Sequence, residues 1–174
     1  FSLYCEVGQS IAIVGKSGSG KTSVLNALAT LTEFDNGEYL ANDGIKISKN
    51  KMFIRNNASY LTQQYYFEEV FVKNCFENKF LEDSDVHNSL LLLGLIEPGT
   101  NDKKFGEVKI SQLSGGERQR LAIATEFLKR KTLYLLDEIT SALNVEHEDL
   151  VADFIKQYSS NKIVIVVTHS KNFA

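Results

Sequence analysis

Eight consecutive residues, Gly15-Lys16-Ser17-Gly18-Ser19-Gly20-Lys21-Thr22, bring glycine, hydroxyl and ammonium groups together at a spacing that suits a chain of phosphates. Glycines let successive backbone N–H groups curl about an anion that a Cβ would obstruct. A helix opening directly after them turns its positive end toward the same charge. Lys21 then reaches the β- and γ-phosphates of a nucleotide, and the Thr22 hydroxyl is a ligand for Mg²⁺. The candidate nucleotide contacts are therefore Gly15, Lys16, Ser17, Gly18, Ser19, Gly20, Lys21, Thr22 and Ser23. Shuffling a chain of this composition yields the P-loop pattern roughly once in a hundred trials. Its position after a β-rich run and before an amphipathic segment makes coincidence rarer still.

Asp137 and Glu138 follow the apolar run Thr132-Leu133-Tyr134-Leu135-Leu136. A carboxylate ending a buried strand beside a phosphate loop is placed to hold Mg²⁺, directly or through water. Glu138, one residue on, can polarise an attacking water as general base. A second glycine motif, Leu113-Ser114-Gly115-Gly116-Glu117-Arg118-Gln119-Arg120, opens another helix. Ser114 with Glu117 makes a capping box, but capping does not call for two glycines, which weaken a helix. A serine hydroxyl, two bare backbone positions and a helix N-terminus also form an anion site. One nucleotide has little use for two such helix starts from one subunit, so each is expected to serve a different nucleotide.

The elements that must carry these groups alternate between β-rich and helical patterns, as in a parallel sheet with crossover helices. Strands are expected at 11–14, 132–136 and 163–167. Helices are expected at 22–31, where Val24, Leu28 and Leu31 keep helical spacing, and at about 145–158. Residues 36–62 read as turns and strands, with Asn36-Gly37 and Asp43-Gly44 as turn signals. Residues 70–98 read as helical, closing at Gly94 and Pro98.

The composition is that of one globular domain: 174 residues, 43% hydrophobic and 24% charged. A net charge of −3 does not advertise nucleic acid. No apolar run is long enough to span a bilayer, so membrane business would go through a partner. Cys5 and Cys75 lack metal-ligand spacing and read as reduced thiols. Both ends read as cut, close to the first and last central strands.

Residues 113–120, set between the P-loop and the Asp137-Glu138 strand, resemble the signature motif of ABC ATPases, and the likeness runs over nearly the whole chain. Thr125 and Lys131 depart from it, standing where arginine and proline are common. The resemblance implies an α/β fold with a P-loop NTPase parallel sheet core, about 1–67 and 126–174. An ABC-type helical subdomain is inserted at about 68–125. It implies hydrolysis of MgATP, with Ser114, Gly115 and Gly116 completing the site of an opposite subunit. Tyr60-Leu61-Thr62-Gln63 resembles the Q-loop, which makes Gln63 a contact for Mg²⁺ and water and the link to a transmembrane partner. Gln64 competes for that role, but the spacing from the tyrosine favours Gln63. Val167-Thr168-His169 resembles the switch histidine, which supports the base and contacts the γ-phosphate. His87 and His147 have no such context and read as surface residues.

Ser141-Ala142-Leu143-Asn144 resembles the D-loop, with Asn144 in place of the usual aspartate. Asparagine keeps size and hydrogen bonding and drops the charge. It either softens coupling between sites or caps the next helix. Tyr65-Tyr66-Phe67 follows the Q-loop, where the family docks on its membrane subunit, and reads equally as a satellite hydrophobic cluster. The adenine-stacking aromatic of the family falls before residue 1, and Tyr4 lies too close to the strand to replace it. Poor discrimination between ATP and GTP is therefore expected.

The partners implied are a second ATP-binding domain, as homodimer or heterodimer, and a transmembrane subunit or fused transmembrane domain. The place implied is the cytoplasmic side of a membrane. Glu138-Ile139-Thr140-Ser141 lacks the proline many importers carry and so resembles exporters. The rival is a soluble ABC-like ATPase acting on ribosomes or in cofactor assembly. A non-enzymatic module is opposed by Glu138.

Overall fold

A computed structural model describes residues 2–33, 36, 38–41, 45–46, 51–76, 84–99 and 102–169. By its internal contacts the chain divides into two compact units, 1–62 with 131–138 and 159–174, and 63–130 with 139–158.

The first unit is built on a four-stranded parallel sheet, β1 (Ser10–Val14), β4 (Ala58–Leu61), β5 (Leu133–Asp137) and β6 (Ile163–Thr168), in the order β1-β6-β5-β4. Tyr134, Leu135 and Leu136 of β5, like residues 164–168 of β6, are buried on both faces. That is why these segments are unbroken apolar runs and not alternating ones. One face packs on α1 (Lys21–Leu28) through Leu25, Leu135, Ile165 and Val167, with Ile13, Leu28, Tyr60, Leu133 and Ile163 around them. A short antiparallel pair, β2 (Leu40–Ala41) and β3 (Ile45–Lys46), lies outside the main sheet. The turn signals Gly37 and Asp43-Gly44 fall outside the described residues.

Within the region read as turns and strands, residues Lys51–Asn57 instead form a helix, α2. Only Ile54 of it is buried, so no alternating face is needed, and Lys, Met and Arg favour the helix locally. Lys131 donates its N–H to the Tyr134 hydroxyl at 2.9 Å, a bond that proline at this position could not make.

α1 ends on Thr30, whose φ is +58°. Its N–H bonds to Ala27 O, and Leu31 N–H to Asn26 O, the bond pattern of a left-handed helix end where glycine is usual. A β-branched residue there is strained, and the Thr30 hydroxyl is buried without a partner among the described residues. Thr30→Gly should therefore stabilise the chain by about 1 kcal/mol. Thermal unfolding followed by circular dichroism should show the melting temperature rising by roughly 2–4 °C. A fall would mean that the threonine methyl packing outweighs the strain.

The second unit is helical: α3 (Ser84–Leu92), α4 (Asp102–Gly106), α5 (Gly115–Leu128) and α6 (Val145–Tyr158), with single 3₁₀ turns at Val72–Phe76 and Ile110–Gln112. The helical reading of 70–98 thus resolves into one 3₁₀ turn and α3, with 77–83 outside the described residues. α3 packs on α5 and α6, Phe127 meets Phe154 edge-on at 5.3 Å, and Phe154 stacks on Tyr158 at 4.4 Å. Residues Arg120 to Phe127 of α5 are buried on all sides, so its sequence shows no clean polar face.

Candidate active site

Parallel strands deliver their C-terminal ends to one edge of a sheet, which is where open α/β sheets bind ligands. Here the registers pair Val14 with Thr168 and Asp137 with Val167. The loop after β1, Glu138 after β5 and His169 after β6 therefore leave the sheet side by side.

The loop takes a conformation that glycine makes accessible: φ is +76° at Gly18 and +89° at Gly20. Gly20 is the N-cap of α1, and no side chain caps that helix. Its first N–H groups are thus left to an external acceptor. Lys21 is buried, and its ammonium donates to the carbonyls of Gly15 (2.9 Å) and Lys16 (3.1 Å). The loop's own backbone thereby holds the cation at its centre. Thr22 and Ser23 are exposed at the same helix start.

His169 Nε2 lies 2.8 Å from Glu138 Oε1 and 3.4 Å from Lys21 Nζ. The nitrogen can donate to the carboxylate or accept from the ammonium, not both. The shorter, charge-assisted contact decides, so Nε2 carries the proton and donates to Glu138. Glu138 itself sits at φ +51°, a left-handed conformation costing a non-glycine residue about 1 kcal/mol. Its N–H donates to Val167 O at 2.8 Å, which pins the strained peptide.

Asp137 is buried, and its Oδ1 has no hydrogen-bond partner among the described residues. Its Oδ2 lies 3.5 Å from the Tyr60 hydroxyl, which is also 2.9 Å from Asn26 Oδ1. Burial first, and the Asp137 charge second, push the Tyr60 phenol up to about 12, so it stays protonated near neutral pH. The sequence reading used Tyr60 only to space the Q-loop, and it did not single out Asn26. The signal lies in the register: Tyr60 pairs with Leu135, and Asp137, two residues on, shares that face.

Gln63, Ser114, Gly115 and Gly116 belong to the helical unit. Gln63 Nε2 donates to Ser141 Oγ at 3.2 Å. The Ser114 hydroxyl accepts from Glu117 N–H (3.2 Å), and Glu117 Oε2 accepts from Ser114 N–H (2.7 Å). The expected capping box is present, and the Ser114 bonds hold the Glu117 carboxyl below its usual range. The two glycines differ. A Cβ at Gly116 would press on Leu143 at 3.3 Å, whereas one at Gly115 would meet nothing within 4 Å. Gly116 is explained by packing, whereas nothing among the described residues packs where a Gly115 side chain would stand. Asn144 Oδ1 accepts from His147 N–H at 2.9 Å, so it caps α6. His87 and His147 are half-buried. Tyr65 packs edge-on against Phe67 at 4.8 Å and donates to Glu126, while Tyr66 is exposed.

The uncapped helix start, the centred ammonium and the unpartnered Asp137 oxygen fit a nucleotide phosphate with a cation beside it.

Comparison with known proteins agrees. A family model described as ABC transporter matches residues 1–141. The chain is 32% identical to an ATP-dependent lipid A-core flippase of Haemophilus influenzae, over 97% of this chain and 30% of that protein. It is 35% identical to the flippase of the same name from Neisseria meningitidis, over 97% of this chain and 28% of that protein. It thus spans under a third of the length of these curated relatives. Among solved structures, a bacterial ABC exporter with ATP bound superposes with a TM-score of 0.77 at 23% identity, over 94% of this chain and 30% of that one. A dimeric ATP-binding cassette in a post-hydrolysis state with ADP and Pi gives 0.76 at 26% identity, over 99% of this chain and 79% of that one. The sheet edge that gathers Lys21, Asp137, Glu138 and His169 is therefore that of an ATP-binding ATPase domain, and the chain belongs to the ABC transporter family.

Proposed function

We propose that this domain is the motor of a membrane exporter, closing with a second ATP-binding domain over two ATP molecules and reopening after hydrolysis. The observation that carries the chemistry is the 2.8 Å bond from His169 to Glu138 beside the Lys21 ammonium. Glu138 accepts the proton of the attacking water while His169 holds its carboxylate in place. Lys21 and the loop amides offset charge that builds on the phosphates. Asp137 and Thr22 would hold Mg²⁺, which when bound would neutralise phosphate charge.

The flippase and exporter names of the relatives support export over import. The domain then works at the cytoplasmic face of a membrane through a transmembrane partner, separate or fused. No helix among the described residues is long and apolar enough to cross a bilayer.

Ser114, Gly115 and Gly116 face the nucleotide held by the opposite domain. With Mg²⁺ and a non-hydrolysable ATP analogue, light scattering at high protein concentration should report a mass of about two chains for the wild type and one for Ser114→Arg. Ser114→Asp keeps the helix cap and should block closure by repelling phosphate. A fluorescent ATP analogue should bind both variants as a monomer. Dimers of both variants would refute the two-site arrangement.

A further inference from the structure

We propose that Tyr60 and Asn26 form a hydrogen-bonded relay that positions Asp137 for the divalent cation, a role that rests on the reading of Asp137 given above. The Tyr60 oxygen lies between two acceptors, Asn26 Oδ1 at 2.9 Å and Asp137 Oδ2 at 3.5 Å. A phenol has one proton, so it cannot serve both. Rotating the Asn26 amide by half a turn exchanges its oxygen and nitrogen with almost no change in shape. The amide N–H then donates to the Tyr60 oxygen, which frees the phenol proton for the Asp137 carboxylate 3.5 Å away.

The consequence falls on the other oxygen of the same carboxylate. With Oδ2 tied to Tyr60, rotation of Asp137 about its terminal bond is restrained, and Oδ1 stays unpartnered and buried. An acceptor of this kind, stripped of water and given no protein donor, is costly unless a cation or its bound water meets it. The fold supplies the placement. Tyr60 shares a sheet face with Asp137 through the β4–β5 register, and Asn26 stands on α1, which packs on β5. Tyr60 is a positioning residue: it acts through Asp137 and touches neither nucleotide nor cation.

The test separates cation affinity from nucleotide affinity. Fluorescent ATP analogue binding is measured in EDTA and then across a Mg²⁺ titration, with Mn²⁺ affinity read independently by electron paramagnetic resonance. Tyr60→Phe keeps the ring and should leave metal-free binding unchanged. It should raise half-saturating Mg²⁺ and the Mn²⁺ dissociation constant about ten-fold, as removal of an outer-shell partner does. Asn26→Ala should raise both by a smaller factor, and the double variant should be no worse than Tyr60→Phe alone, since the two act in series. Asp137→Asn serves as the reference and should raise the Mg²⁺ requirement most. If Asp137→Asn shifts it and Tyr60→Phe does not, the relay is wrong and the assignment of Asp137 stands. If Asp137→Asn leaves it unchanged, the assignment itself falls. Should Tyr60→Phe lose metal-free binding, Asn26→Ala decides, and an unaltered Mn²⁺ affinity there overturns the relay.

Discussion

Glu138→Gln should slow ATP turnover about a thousand-fold while leaving ATP binding close to wild type. The amide keeps the volume of the carboxylate and can still present an oxygen to His169 Nε2, which lies 2.8 Å from Glu138 Oε1. What it cannot do is take a proton from water. Nucleotide would then stay in place, so the variant should dimerise with MgATP and remain dimeric, whereas the wild type returns to monomer as ATP is consumed. Steady-state phosphate release gives the first quantity and light scattering the second. Hydrolysis at the wild-type rate would remove Glu138 as the base. Binding without hydrolysis and without dimerisation would leave the base assignment standing and remove the closure model.

The second large effect is expected at Lys21. Lys21→Ala removes a charge-assisted contact to phosphate, worth about 3 kcal/mol, and so should weaken MgATP binding at least about a hundred-fold. It also removes the two bonds that hold the loop around its own ammonium, to Gly15 O and Lys16 O. Part of the loss will therefore be loop order and not counter-charge. Lys21→Arg separates the two: it restores charge, but a guanidinium is a broad planar fork where the loop holds a compact ammonium. Titration of a fluorescent ATP analogue should rank wild type well above both variants. Wild-type affinity in Lys21→Ala would mean that the nucleotide binds elsewhere.

What could be read from the residues alone was whatever is local. The run from β1 through the glycines into α1 announces itself because strand, turn and helix each need their own residue types within 20 positions. Asp137 and Glu138 were legible because β5, buried on both faces, leaves an apolar run that ends abruptly in charge. Asn144 had two open readings, and the 2.9 Å bond from His147 N–H supports the cap. Tyr60 was read only as the marker of the Q-loop, and Asn26 not at all, because their meeting with Asp137 depends on which strand lies beside which, in what register, and on where α1 packs. None of these is written within a short window. α2 was missed for a related reason. With one buried residue in seven positions, it carries too little periodicity to distinguish itself from a loop.

The left-handed backbone at Glu138, φ +51°, has a consequence for anyone selecting variants of this chain. Glycine accepts that conformation freely, so Glu138→Gly should relieve about 1 kcal/mol of strain. A screen rewarding heat resistance alone would be drawn to this position and would deliver a sturdier protein that holds ATP and no longer consumes it. Thermal tolerance and turnover compete here for a single residue, a local instance of the trade between robustness and activity. Directed evolution of this domain should therefore keep a turnover assay in every round.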